Sequence, residues 1–528
     1  MGLVVPFVKD LDAKLLRLSP RDVFTCRDAC GVHIFGSPGS GKSSGPGRMI
    51  AGAYLRAGMG GLVTAGKFDE VGVWRDDYAP KHGRARSIVL FDENEGFNFL
   101  QYLMAQQGFE GIGTVTETMM RIIDMSRRAS GAASTKGGES FWEDGARMGL
   151  RGALPLLYSA HGSLSIPEII RFISTAPANP KEPADKDWQE RSYMFSVLKK
   201  AIHNPRVPMP KDALLSLVNS FWAERWPAIP SRTLGNIVIS ITAALDRFNC
   251  GRLNRVFCGK TTIVPELSFG GAVIVLAMPT LTWNEDGVIA QQLFKYLWQR
   301  AVLRRSSLDT RHKERFIFLW SDESQETVNS YDGEFLSLSR QSKCCVTYLS
   351  QSLPSYVAKI RGDTPKEDAE GLVGKFVTHI YHSNACATTN EYAARVLGRV
   401  MTRRGSYSAG SSESINYGMS AGNSENSGFS SNSGSSHGGQ NNYSLNSGSG
   451  QSSGSGSNWG ANRGRGTTRN ESRGYSESLE YSVEPGDFGR MLRTGGTRNG
   501  NEVTGVWYQA GRVFEASGTN WLKVRFKQ

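Results

Sequence analysis

Gly36-Ser37-Pro38-Gly39-Ser40-Gly41-Lys42-Ser43 fits the pattern G-x-x-x-x-G-K-[ST]. Glycines at these positions let successive backbone N–H groups turn inward around a phosphate, and the helix that follows adds the positive end of its dipole. The flanks have the order this chemistry needs. Gly31-Val32-His33-Ile34-Phe35 reads as a short buried strand, and Gly47 to Leu55 can continue as a helix. The cradle then comprises Gly36, Ser37, Pro38, Gly39, Ser40, Gly41, Lys42 and Ser43, with Ser44 beside it. Lys42 would reach the β- and γ-phosphates of ATP, and the Ser43 hydroxyl would ligate Mg²⁺.

A P-loop alone binds nucleotide, whereas hydrolysis needs an acidic pair at the end of a neighbouring strand. Phe316-Ile317-Phe318-Leu319-Trp320-Ser321-Asp322-Glu323 supplies one. The apolar run predicts a buried strand, with Asp322 as the Mg²⁺ ligand and Glu323 as the base that orients the attacking water. The next predicted strand ends Val346-Thr347-Tyr348-Leu349-Ser350-Gln351-Ser352. Gln351 there can sense the γ-phosphate or can be an ordinary capping or surface residue. Arg340 can complete a neighbouring subunit's site in trans or stand solvated.

Around these motifs the chain alternates in character. Residues 1–110 carry the P-loop and two further predicted strands, Gly61–Thr64 and Arg86–Phe91. Residues 111–260 change to helical periodicity, including the segments Ile166–Ile173, Tyr193–Ile202, Ala213–Trp222 and Leu234–Phe248, which predicts an inserted all-α domain. Strand character returns in 261–404, at Gly271–Ala277, Arg315–Trp320, Cys345–Leu349 and Phe376–Tyr381. Residues 405–475 are dominated by Ser, Gly and Asn. Such a tract buries too little apolar surface to offset ordering entropy, which predicts a disordered or loosely looped segment. Within 476–528, Glu502–Gln509 and Trp521–Phe526 read as closing strands. The acidic turn Asp92-Glu93-Asn94-Glu95 reads as solvated. The fold class is therefore α/β, a central and mostly parallel sheet interrupted by a helical insertion.

Composition narrows the partners. The 528 residues allow about two to four domains, and the net charge of +12 leans towards a polyanion such as nucleic acid or an anionic membrane surface. Seven cysteines (26, 30, 250, 258, 344, 345 and 386) show no zinc-like pairing and read as reduced thiols of a cytosolic protein. The most apolar runs, Ala272–Met278 and Ile237–Leu245, fall short of the ~18 residues that span a bilayer, and the first residues lack a signal-peptide pattern. A soluble chain is expected.

Together these features resemble the coupling ATPases of type IV secretion and conjugation, the TraG/TraD family within the FtsK/HerA group. Beyond the P-loop, Gly61-Leu62-Val63-Thr64-Ala65-Gly66-Lys67 stands where that family has a strand followed by Asp-Pro-Lys. Asn98-Phe99-Leu100 stands for its Asn-Pro-Leu, and Phe141-Trp142-Glu143-Asp144-Gly145-Ala146 is similar to its helical-domain signature. Asp322-Glu323 and Ser350-Gln351-Ser352 match its acidic motif and Gln sensor, and Glu484-Pro485-Gly486-Asp487-Phe488 precedes the last strands as a polar stretch does there. The resemblance implies a RecA-like motor domain acting as a homohexamer. Its substrate would be DNA, bound without sequence specificity and carrying a relaxase or another secreted protein, delivered to a type IV secretion channel. Two departures bear on this. Ala65 and Gly66 replace Asp-Pro, and no membrane helices precede the P-loop, so attachment to the inner membrane would come through a partner. A soluble DNA pump and a nucleotide-dependent adaptor for secreted proteins are the alternatives.

Overall fold

The computed structural model describes residues 6–129, 139–308, 310–360, 364–420, 426–438, 442–454 and 460–528. Its strands are β1 (Lys14–Arg17), β2 (Val23–Thr25), β3 (Val32–Phe35), β4 (Gly60–Thr64), β5 (Ile88–Phe91), β6 (Val273–Leu276), β7 (Ile317–Ser321), β8 (Cys344–Ser350), β9 (Thr378–Tyr381), β10 (Arg399–Ser420), β11 (Asn426–Gly438), β12 (Asn442–Gly454), β13 (Gly460–Tyr481), β14 (Glu502–Gln509) and β15 (Trp521–Lys527). Contacts divide the chain into two compact units, residues 1–389 with 488–528, and residues 390–487.

The first unit is built on a nine-stranded sheet in the order β15-β14-β9-β3-β8-β7-β4-β6-β5. From β9 to β5 every neighbouring pair is parallel, while β14 runs antiparallel to β9 and to β15. The chain is therefore α/β, as its alternating pattern predicts. The strands β3, β6, β7 and β8 are buried along their whole length, which is why apolar residues dominate them. Arg86 and Ser87 are not part of β5. They lie in a 3₁₀ turn over Ala85–Ser87 that feeds it.

Between β5 and β6 every regular element among the described residues is a helix. The helix α1 (Arg48–Arg56) follows the P-loop. The longest of the intervening helices are α2 (Ile112–Ala129), α3 (Glu139–His161) and α4 (Ser231–Asp246). After β6 comes the helix α5 (Thr280–Arg304), which packs against β4; a break at Asn284 (φ 52°, ψ −132°) sets its first turn apart from the rest. Two shorter helices flank β8, α6 (Asp332–Ser339) and α7 (Leu353–Lys359). The core is apolar and dense in aromatics: Trp74 stacks on Phe318 at 5.6 Å, and Phe24 meets Trp507 edge-on at 5.0 Å. All seven cysteines are free, with Cys26, Cys30, Cys344 and Cys345 buried.

The second unit corrects one expectation. The Ser/Gly/Asn tract over 405–475 is not a loose loop where it is described. It forms long antiparallel strands in the order β10-β13-β12-β11. Ladder bonding between backbones needs no apolar core, so composition alone does not decide against it. Periodicity does favour it. Met401↔Leu479, Arg403↔Glu477 and Tyr407↔Arg473 are cross-strand partners, all at odd positions and so all on one face. Arg403 bonds Glu477 at 2.6 Å and lies 4.9 Å from the Tyr475 ring centroid.

Candidate nucleotide site

The loop after β3 is fastened to the neighbouring strand ends. Gly36 N–H donates to the Ser350 carbonyl at 3.3 Å, Ser37 N–H to that of Ser383 at 3.1 Å, and Ser40 N–H to that of Ser37 at 3.0 Å. Gly39 (φ 73°) and Gly41 (φ 84°) occupy the left-handed region that only glycine adopts cheaply. A Cβ at Gly39 would meet nothing within 4 Å, leaving an open cradle, whereas one at Gly41 would lie 2.5 Å from Val503 of β14. Pro46 lacks a donor, so the first turn is wide: Gly47 N–H reaches back to the Lys42 carbonyl at 2.9 Å before α1 begins. Ser44 Oγ accepts from Gln528 Nε2 at 2.7 Å.

Strand order then brings the acidic pair to this loop. Ser43 Oγ donates to Asp322 Oδ2 at 2.8 Å, across 279 residues of sequence. Lys42 Nζ lies 3.7 Å from Glu323 Oε1, and both side chains are largely buried. Because β8 lies between β3 and β7, its end falls between the two motifs. Gln351 Nε2 donates to both carboxylate oxygens of Glu323 at 3.1 Å. Glu323 itself is held at φ 45°, ψ 46°, a left-handed conformation that costs a non-glycine residue about 1 kcal/mol or more. Such strain persists where neighbours over-determine it, and here Gln325 Nε2 adds a third bond to the carboxylate at 2.8 Å.

The two acids are tuned apart. Burial pushes the Asp322 carboxyl up, against the pull of Lys42 and the Ser43 hydroxyl. Burial also raises Glu323, but the Gln325 hydrogen bond, the Lys42 charge and Gln351 outweigh it and hold the carboxyl below its ordinary range. An anionic Glu323 can accept a proton, and a buried Asp322 beside a hydroxyl offers oxygen donors to a hard cation such as Mg²⁺. The residues fit a Mg²⁺-nucleotide.

Sequence reasoning missed four contributors. Gln325 is one. Glu70, on the short helix after β4, accepts from Gly66 N–H at 2.7 Å, and burial together with nearby Asp322 pushes its carboxyl up to about 8. Tyr78 donates its hydroxyl to the Ser43 carbonyl at 3.2 Å. Asn384 ties loop to sensor, taking the Ser37 hydroxyl at 3.3 Å and donating to the Gln351 carbonyl at 2.9 Å. None sits in a recognisable local motif: Gln325 lies two residues beyond Glu323, while Glu70, Tyr78 and Asn384 come in from other elements. Conversely, Arg340 is exposed and caps α6 just before β8 begins, so it stands at the opposite end of that strand from Gln351 and outside this cluster. Ala65 is clamped by Gln291 of α5, whose amide accepts from Ala65 N–H at 3.1 Å and donates to its carbonyl at 2.7 Å.

No family model matches the chain, and no curated protein sequence does. Among solved structures it is similar to the plasmid coupling protein TrwB in complex with a non-hydrolysable ATP analogue, at 14% identity over 98% of this chain and 90% of that one, TM-score 0.49. It is similar also to the bacterial conjugative coupling protein TrwBdeltaN70 in its sulphate complex (14%, 100% and 96%, TM-score 0.48). VirB4 of Thermoanaerobacter pseudethanolicus matches at 10% identity over 74% of this chain and 89% of that one, TM-score 0.40. Identities this low and TM-scores below 0.5 leave function to be argued from the chain's own residues. Among the described residues no helix is long and apolar enough to cross a membrane.

Proposed function

We propose that this chain is a P-loop ATPase that couples ATP hydrolysis to moving DNA, with an attached relaxase or other protein, towards a type IV secretion channel. The convergence of Lys42, Ser43, Asp322, Glu323 and Gln351 on one point at the strand ends carries the enzymatic part of this reading. Gly36 to Ser43 would wrap the phosphates with backbone N–H groups, and Lys42 would neutralise the terminal ones. Ser43 and Asp322 would hold Mg²⁺, which when bound draws charge from the phosphate oxygens. Glu323 would take the proton of the attacking water, and Gln351, bonded to Glu323, would place that carboxylate relative to the γ-phosphate.

The transport part rests on the sequence resemblance, supported by the charge of +12. Assembly as a hexamer, and a trans role for Arg340 in it, belong to the same proposal. ATP turnover measured with and without single-stranded DNA, double-stranded DNA and a relaxase tests it. Stimulation by DNA is the expected result. Turnover that ignores DNA and rises only with a protein substrate would replace it with the adaptor reading.

A further inference from the structure

We propose that the cleft bordered by α2, α5 and the segment leading into α6 binds the phosphate backbone of a nucleic acid strand, and that this segment links the bound strand to the ATP site. The inference rests on the DNA-translocation reading and names its contact surface.

Three arginines line this cleft of about 290 Å³ together with Tyr296, Tyr331 and Glu117. Arg121 of α2 donates to Ser330 Oγ at 3.1 Å and lies 4.6 and 5.2 Å from the Tyr296 and Tyr331 ring centroids. Arg300 donates to the Tyr296 hydroxyl at 3.1 Å and Thr114 Oγ1 at 3.4 Å, and Arg304 donates to Gln106 Oε1. Every described partner of these three guanidiniums is neutral. The one carboxylate of the lining, Glu117, is already engaged by Arg147 at 3.2 Å and Arg151 at 3.7 Å. Arg300 and Arg304 stand one turn apart on one face of α5, with Arg121 across from them. Cations set out in a row suit repeating phosphates better than one isolated anion, and Tyr331 offers a ring on which a base can stack.

The same segment leads to the catalytic end of β7. Ser330 and Tyr331 lie only a few residues after Glu323, and α5 grips the stretch between. Lys295 Nζ donates to the Thr327 carbonyl at 2.6 Å and to Asp332 Oδ2 at 2.7 Å, and Gln292 Nε2 donates to the Val328 carbonyl at 2.9 Å. A strand pressing on Tyr331 therefore acts on a short, tethered segment whose other end carries Glu323.

The test is fluorescence anisotropy of a labelled DNA single strand titrated with the full chain between about 50 and 200 mM salt. Arg300→Glu with Arg304→Glu is expected to weaken binding at least about tenfold and to flatten the log–log salt slope by about 1.4, two phosphate contacts' worth. Arg300→Gln with Arg304→Gln, the milder pair, should flatten it similarly, and Tyr331→Leu should weaken binding about fivefold or more with the slope unchanged. DNA-stimulated turnover should fall with affinity in each. Variants that melt like the parent and bind the strand with its affinity and slope overturn this site while leaving the DNA reading intact. A parent chain that binds no DNA overturns both, and one that binds anionic phosphatidylglycerol vesicles in place of the strand overturns the choice of ligand.

Discussion

Gln351 Nε2 spans the two carboxylate oxygens of Glu323, 3.1 Å from each. The bond joins the ends of two adjacent parallel strands, so the orientation of the acid depends on a residue from a different motif. With Lys42 beside it, Glu323 is an ionised carboxylate held in place. Replacing it by Gln keeps the shape and removes the base. Glu323→Gln is expected to bind ATP while kcat falls by about 10² or more. Gln351→Ala leaves the base but frees its orientation, and kcat should fall about tenfold, the worth of one charge-assisted hydrogen bond. Stopped-time phosphate release together with nucleotide binding by fluorescence checks both; a Glu323→Gln protein with normal turnover would remove it from the role.

Gly41 faces β14 so closely that a methyl group would reach within 2.5 Å of Val503, and its φ is 84°. Gly41→Ala therefore meets two penalties, a clash and a left-handed backbone. ATP affinity is expected to fall more than about tenfold. Combining it with Val503→Ala relieves only the clash, so affinity should recover in part. Full recovery in the double variant would show that φ at this position is unimportant.

Much of the first unit could be read from the chain because its signals are local. Buried strands such as Phe316–Trp320 announce themselves as apolar runs, and the P-loop has a fixed spacing. The partners of Glu323 were less legible. Gln325 looks like an ordinary polar residue until the left-handed turn at Glu323 folds it back onto that carboxylate, and Glu70 does so until the order of β4 and β7 places it near Asp322. The Ser/Gly/Asn tract is hard to read for a different reason. Its composition points to disorder, whereas period two is the informative quantity there: Met401, Arg403 and Tyr407 share a parity with Arg473, Glu477 and Leu479.

His33, His379 and His382 are buried on β3 and at β9, and burial drives each below its ordinary range, His379 and His382 to about 4. A histidine depressed in the folded state adds stability that is complete above its unfolded pKa near 6.5 and is lost as pH falls towards 4. Each of the latter two contributes on the order of 3 kcal/mol across that window. The melting temperature should therefore drop steeply between pH 6.5 and 4. His379→Phe, which keeps the ring that stacks on Tyr381, should flatten that drop relative to the parent. Equal slopes in the two proteins would mean that His379 is protonated without cost.

The ribbon of β10 to β13 begins and ends at neighbouring residues. Arg399 pairs with Tyr481 at its base, and Ser482 N–H donates to the Gly398 carbonyl at 3.0 Å. The two ends are thus already at bonding distance, and Gly398, at φ 88°, can serve as a turn residue. Joining Gly398 directly to Ser482 removes the ribbon and leaves one peptide bond between two residues that are already neighbours. The shortened chain should fold cooperatively, melt within a few degrees of the parent and bind ATP with the same affinity, because none of the site residues lies in the deleted segment. Loss of ATP binding on this deletion would mean that the ribbon supports the nucleotide site, and DNA-stimulated turnover in the same protein measures whether it takes part in transport.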